Sequence, residues 1–137
     1  MPTRVQIVLD CANPDTLIRF WADALGYEIE FPLGTEEERK LLDAHPGLEG
    51  SAGAAHDHDG VRPRLFLQRV PEPKTVKNRM HMDLHVPDLA AEVERLKGLG
   101  ATVVHPDMTG FFGERWTVMA DPEGNEFCVA GPLAPAP

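Results

Sequence analysis

The chain has 137 residues, of which 42% are hydrophobic, and it carries a formal net charge of −9. This length suits one compact domain, or two small halves that share a core. The acidic balance, with no basic stripe, argues against a nucleic-acid partner and against an anionic membrane surface. Because the two cysteines, Cys11 and Cys128, lie far apart in sequence, we expect free thiols in a reducing cytoplasm.

The first elements in chain order are a strand over residues 5–10 and a helix that begins after it. Asn13 is a good N-cap residue, and Pro14 occupies the first helical position, where its missing N–H is tolerated. Apolar residues at helical spacing predict one buried face. Gly26 ends the helix.

The rest of the first half is predicted to add strands around a second, acidic helix. A strand over 27–31 precedes a capping box that starts at Thr35 and predicts a helix over 36–44. Small residues over 47–60 indicate a weak strand and a tight turn, and 64–70 is a strong strand.

The second half opens in the same way as the first. A strand over 80–86 leads to an N-cap at Asp88 and to an amphipathic helix that ends at Leu99-Gly100. A strand over 101–104 follows. The last elements are two strands, 115–120 and 126–130, which form a hairpin.

Each half therefore has the order βαβββ, and the chain is predicted to be a single α+β domain. We place the first module at 4–70, a linker at 71–78 and the second module at 79–131. Residues 132–137 are predicted to be a flexible tail.

Side chains alternate between the two faces of a strand, so the apolar faces should pack against the helices and the polar faces should lie opposite. Bulk solvent is one destination for the polar faces, and a cleft between two curled sheets is the other. We favour the cleft. The residues predicted to line it are Gln6, Val8, Phe66, Gln68, His81, Asp83 and Cys128.

These features resemble the vicinal oxygen chelate superfamily, which includes glyoxalase I, bleomycin-resistance proteins and extradiol dioxygenases. The resemblance lies in the two modules, in Phe20-Trp21 and in the Asp-Pro-Glu-Gly-Asn turn at 121–125. His81-Met82-Asp83 and the residues before it resemble the small glyoxalase-like branch that is common in high-GC bacteria. The resemblance implies two βαβββ modules forming cupped mixed, mainly antiparallel sheets.

Metal-dependent members of this superfamily hold one divalent ion with four side chains. Carried over by position, the ligands would fall on Gln6, Gln68, His81 and Cys128. An amide-rich set with one thiol suits a hard ion such as Mn²⁺ poorly. We therefore expect no resident cofactor and no glyoxalase I activity, and a weakly held divalent metal at these residues stays the alternative.

Three residues of the predicted cleft admit a chemical and a structural interpretation. His81 is a candidate catalytic base, oriented by Asp83 on the same face, or it is a hydrogen-bonded structural histidine. Cys128 is a candidate nucleophile or a small buried residue, and we favour the latter. Trp116 stacks on a ligand or packs in the core.

Three segments outside the cleft also leave alternatives open. The run His56 to Asp59 is a metal motif or a solvated hairpin tip, and we favour the tip. Lys77 to Arg79 meets an anionic group at the cleft rim or is a solvated linker. The helix over 36–44 is a lid or an inert surface insertion.

The sequence thus predicts a protein that binds a small organic ligand in the cleft. The alternative is a lyase or isomerase that removes a proton next to a carbonyl, with His81 as base. A structural or regulatory partner domain is the third hypothesis. A homodimer is left open.

Overall fold

The computed structural model describes residues 2–132, so Met1 and the predicted tail from residue 133 onward lie outside the described residues. The chain divides into two compact units, one ending at Pro73 and the other beginning at Lys74. The predicted fold class is confirmed, because each unit has the order βαβββ around one four-stranded mixed sheet. Within the described residues, no helix has the length and apolar character that crossing a membrane requires.

The first unit contains one sheet, one packed helix and one surface helix. Its strands are ordered β1-β4-β3-β2, and only the pairing of β1 with β4 is parallel. The elements are β1 (Gln6–Cys11), α1 (Pro14–Leu25), β2 (Glu28–Phe31), α2 (Glu36–Ala44), a short 3₁₀ turn (Pro46–Leu48), β3 (Ala52–His56) and β4 (Arg64–Arg69).

Helix α1 forms the core of the first unit. Its side chains Leu17, Ile18 and Trp21 are at most 1% exposed, and the helix packs against β2, β3 and β4. The close approach depends on Gly53 of β3, because a Cβ there would lie 2.9 Å from the Pro14 carbonyl oxygen. The helix ends as predicted, with Gly26 in the left-handed region at φ 68°.

Helix α2 is stabilised by capping hydrogen bonds at its N-terminus and contributes no buried residue. The Thr35 hydroxyl accepts a hydrogen bond from the Glu38 amide at 3.2 Å. The Glu38 carboxylate in turn accepts from the amides of Leu33 and Gly34. The predicted capping box therefore forms, although its glutamate reaches the two residues before the N-cap rather than the N-cap itself.

The second unit repeats the architecture without the surface helix. Its strands are ordered β5-β8-β7-β6, and β5 is parallel to β8. The elements are β5 (Asp83–His85), α3 (Leu89–Leu99), β6 (Thr102–Thr109), β7 (Arg115–Ala120) and β8 (Glu126–Ala130). The fully buried side chains here are Leu96, Met119, Phe127 and Val129, and α3 covers β6, β7 and β8.

Two strands of the second unit differ from the prediction. β5 is shorter than the predicted 80–86, and Met80 is 88% exposed. β6 is longer than the predicted 101–104 and continues to Thr109. It passes Pro106 through two register shifts at the edge of the sheet, where a proline costs no ladder hydrogen bond.

The segment that follows Lys74 is anchored to the turn between β7 and β8. The Asp121 carboxylate accepts from the backbone and side-chain N–H groups of Asn125. The Asn125 side-chain oxygen accepts from Asn78 Nδ2 at 3.2 Å. The predicted linker 71–78 therefore ends in an ordered stretch, and the Asp-Pro-Glu-Gly-Asn turn is its attachment point.

Glu126 completes this attachment through its carboxylate. Oε1 lies 3.1 Å from Lys74 Nζ, and Oε2 accepts from the Asn78 amide at 3.0 Å. The amide hydrogen bond, with the help of Lys74, lowers the pKa of Glu126 to about 2. Glu126 is therefore ionised at neutral pH and binds the segment that leads into the second unit.

The Glu126 contacts predict a defined loss of stability in acid. Because its folded pKa is depressed, Glu126 stabilises the fold above its ordinary pKa of 4.5, and the contribution disappears as pH falls from there towards about 2. Glu126→Gln should therefore take up about one proton fewer on unfolding across this range. Urea titrations at several pH values measure this. The control is Glu72→Gln in the exposed part of the linker, and an equal effect of the two variants would contradict the account.

Candidate functional site in the second unit

The sheet face opposite α3 brings the predicted residues of the second unit together. In the strand register, Asp83 lies beside Cys128, Cys128 beside Val118, and Val118 beside His105. The next row pairs His85 with Ala130 and Ala130 with Trp116. Apolar and polar side chains therefore share one face, as the alternation predicts.

A cavity of about 780 Å³ lies on this face. Its size falls in the range of small-molecule sites, roughly 300–1,000 Å³. Trp116, Val118, Cys128 and Ala130 form an apolar floor, and His81, Asp83, His105 and Lys77 supply polar groups. Trp116 is half-buried here, whereas Phe111 and Phe112 at the adjacent hairpin tip are fully exposed.

Cys128 is held as a neutral thiol. Its side chain is 9% exposed, and burial raises its pKa, as do the charge of Asp83 and a hydrogen bond to that carboxylate. Lys77 acts in the opposite direction with a weaker effect. A protonated thiol is a poor nucleophile and a poor metal ligand, so this environment favours the interpretation of Cys128 as a small packing residue.

His81 and Asp83 form the accessible polar pair of the cavity. His81 Nε2 lies 3.3 Å from Asp83 Oδ1, and the two side chains are 41% and 52% exposed. His85, further along the same face, donates its Nδ1–H to the Gly131 carbonyl oxygen at 2.9 Å. Because a carbonyl only accepts, Nδ1 of His85 carries the proton.

The predicted residues of the first unit also share one sheet face. Val8 lies beside Phe66 in the β1–β4 register, Gln6 beside Arg64, and Asp10 beside Gln68. Gln6 and Gln68 are thus four residues apart along the strands, about 13 Å at the usual rise per residue. The register does not bring these two amides together.

Arg64 dominates this first-unit face. Its guanidinium donates to Gln6 Oε1 at 2.7 Å and to both carboxylate oxygens of Glu30. It also lies 5.6 Å from the ring centroid of Phe66. The bonds from Arg64 lower the pKa of Glu30 despite partial burial.

The metal set carried over from the family fits these surroundings poorly. The oxygen of Gln6 is occupied by a guanidinium, and Gln68 lies at the other end of the strand. In the second unit, His81, Asp83 and Cys128 present donor atoms that all lie within 4.8 Å of one another. That trio mixes a neutral thiol with a carboxylate and an imidazole, which is closer to a zinc set than to a manganese set.

The two histidines of the predicted hairpin tip at 56–59 make contacts with glutamates of β2, and His58 in the turn itself is 76% exposed. His56 lies within 3.2 Å of both Glu28 and Glu30, and His58 Nδ1 lies 2.6 Å from Glu28. Hydrogen bonding to His58 lowers the pKa of Glu28. Each imidazole is therefore bonded to a glutamate on strand β2.

Sequence reasoning missed the residues whose partners are distant in the chain. Arg64 was assigned to the correct face, but nothing local indicated its bond to Gln6, 58 residues away. The pairing of Lys74 with Glu126 spans 52 residues. The available signal was the side of the strand on which each charge falls, and this does not give a partner.

Comparisons with known proteins agree with this architecture. A family model described as a glyoxalase-like domain matches residues 6–130, whereas no curated protein sequence matches. A glyoxalase/bleomycin resistance protein/dioxygenase family enzyme from Burkholderia phytofirmans PsJN has a TM-score of 0.67 at 11% identity, covering 93% of this chain and 97% of its own.

Two further solved structures are similar in fold. The fosfomycin resistance protein FosX from Listeria monocytogenes has a TM-score of 0.66 at 12% identity, with 97% of this chain and 95% of that chain covered. A lactoylglutathione lyase from Agrobacterium tumefaciens has a TM-score of 0.60 at 16% identity, with 96% and 95% covered. At such identities the likeness shows the fold alone. The match over residues 6–130 shows that the chain belongs to the glyoxalase-like domain family, within the vicinal oxygen chelate fold.

Proposed function

We propose that this protein binds a small organic ligand in the cavity of the second unit, without a tightly held catalytic metal. The observation that carries the proposal is the cavity of about 780 Å³. It combines an apolar floor with a few polar groups, which is the usual composition of a small-molecule site.

The floor supplies binding energy, and the polar pair supplies orientation. Each square ångström of apolar surface removed from water contributes about 25 cal/mol, and the flat indole of Trp116 offers the largest surface to a planar ligand. His81 and Asp83 remain partly exposed and are free to exchange hydrogen bonds with a carbonyl or hydroxyl group.

The donor chemistry supports binding without a resident metal. Cys128 would have to lose a proton that burial and Asp83 retain, and metal binding has to overcome that cost. To bind a metal ion, the Gln6 oxygen would have to give up its 2.7 Å hydrogen bond from Arg64. The ion would then lie close to the guanidinium, which carries a charge of the same sign.

A second candidate function is supported by the 3.3 Å approach of His81 Nε2 to Asp83 Oδ1. With Nε2–H directed at the carboxylate, Nδ1 can accept a proton from a carbon next to a carbonyl, and Asp83 stabilises the imidazolium that results. This is lyase or isomerase chemistry of the kind the family supports.

Binding of an apolar probe tests the first function. We expect N-phenyl-1-naphthylamine, an uncharged fluorophore, to bind with enhanced emission and to be excluded by Val118→Phe, which fills the floor. Val61→Phe adds the same bulk at a site that is 83% exposed in the first unit and should leave binding unchanged. Equal loss in both variants, or no saturable binding to the wild type, contradicts the proposed cavity.

Metal titration separates the two functions. Calorimetry with Mn²⁺ and Zn²⁺ should show no stoichiometric binding that depends on His81, so His81→Ala and wild type should give the same isotherms. The matched control is His85→Ala, whose ring is bonded to the Gly131 carbonyl. A one-to-one site that disappears only in His81→Ala contradicts metal-free binding and favours the lyase or isomerase.

A further inference from the structure

Lys77 is the cation of the cavity that lacks a partner. Its side chain lines the cavity, and its charge reaches Cys128, whose pKa it lowers against the stronger effects of burial and Asp83. Within residues 2–132, the Lys77 ammonium makes no ion pair and no hydrogen bond. Among the described residues, this positive charge beside an apolar floor therefore has no carboxylate in direct contact with it.

The backbone that carries Lys77 is fixed on both sides. Lys74 Nζ donates to the carbonyl oxygen of Val76, the residue before it. Asn78, the residue after it, donates its amide to Glu126 and its side chain to Asn125. Lys77 thus lies in an anchored stretch, although its own side chain is exposed.

The nearby acids have contacts of their own, and neither forms an ion pair with Lys77. Glu126 accepts from Lys74 and from the Asn78 amide. Asp83 accepts from the Cys128 thiol and faces His81.

Two other charged groups at the cavity also have contacts of their own. The Glu114 side chain accepts from the Phe112 amide at 2.9 Å, and Arg115 lies 3.4 Å from Asp107. Lys77 is the group whose charge a ligand can satisfy without breaking an existing contact.

We infer that the ligand is an amphipathic organic anion, whose apolar body lies on Trp116 and Val118 and whose single acidic group is bound by Lys77. This inference rests on the proposed function and names the ligand class of the same cavity. The lysine ammonium is a compact point charge that can bind a carboxylate, sulfonate or phosphonate. The resulting charge-assisted hydrogen bond is stronger than a neutral one.

Two probes with the same aromatic skeleton test the inference. 1-Anilinonaphthalene-8-sulfonate differs from N-phenyl-1-naphthylamine by one sulfonate, so the difference between their affinities isolates the contribution of the negative charge. We expect the anionic probe to bind the wild type more tightly. Lys77→Gln should weaken the anionic probe about tenfold, the usual scale for a lost charged hydrogen bond, and leave the neutral probe unchanged.

Arg79→Gln is the matched control. It also removes one positive charge, but Arg79, two residues after Lys77, does not line the cavity. It should leave both probes unchanged, and Lys77→Arg should retain most of the affinity for the anion. Equal binding of both probes, or equal weakening by Lys77→Gln and Arg79→Gln, overturns the inference. Failure of the neutral probe to bind, or its binding despite Val118→Phe, overturns the proposed function instead, so the two failures are distinguishable.

Discussion

Each sheet of this protein is covered by its own helix on one face, and strand geometry then directs every second side chain to the other face. In the second unit this constraint places Trp116, Val118 and Cys128 on the face away from α3, together with His81 and Asp83. The core residues Phe127 and Val129 occupy the intervening positions of the same strands. The composition of the cavity therefore follows from the packing of α3.

The charges at the cavity follow from a separate set of contacts. One carboxylate, that of Glu126, accepts both a lysine and a backbone amide of the preceding segment. This arrangement orders the segment. It also binds Glu126, the acid nearest in sequence to Cys128 of the cavity floor, to Lys74 rather than to Lys77. The second lysine of the segment, Lys77, is left facing an apolar surface. Glu126 thus connects the architecture with the anion preference that we propose for the cavity.

The two units differ in the contacts that the charged side chains on their polar faces make. In the first unit, Glu30 contacts both Arg64 and His56, and Arg64 also donates to the Gln6 oxygen. In the second unit the Cys128 thiol and Asp83 share a hydrogen bond. Lys77 has no ion-pair partner among the described residues. A resident divalent ion would disturb the first arrangement, and an organic anion would complete the second.

Elements were predicted correctly where the interacting residues lie close together in sequence. Helices α1 and α3 were predicted with their ends because Pro14, Asp88 and Gly26 act within a few residues of the helix termini. The faces of β4 and β8 followed from alternation. The prediction ended β6 at residue 104, whereas the strand continues past Pro106 to Thr109, since an edge position that tolerates proline is a property of the sheet.

Register and long-range pairing could not be predicted. Placing Gln68 with Gln6 in a common ligand set required the alignment of two strands that are far apart in the chain, and the observed alignment sets Arg64 opposite Gln6. The same holds for Lys74 and Glu126. The candidate residues of the second unit were found because they lie on adjacent strands with one common face.

The most direct test of the account uses the indole N–H signals of the two tryptophans in an NMR titration with N-phenyl-1-naphthylamine. Trp116 lies in the cavity, whereas Trp21 is 1% exposed in the core of the first unit. The account predicts that the Trp116 signal shifts saturably while the Trp21 signal stays in place. A bound probe that leaves the Trp116 signal unchanged would show that the ligand site lies elsewhere.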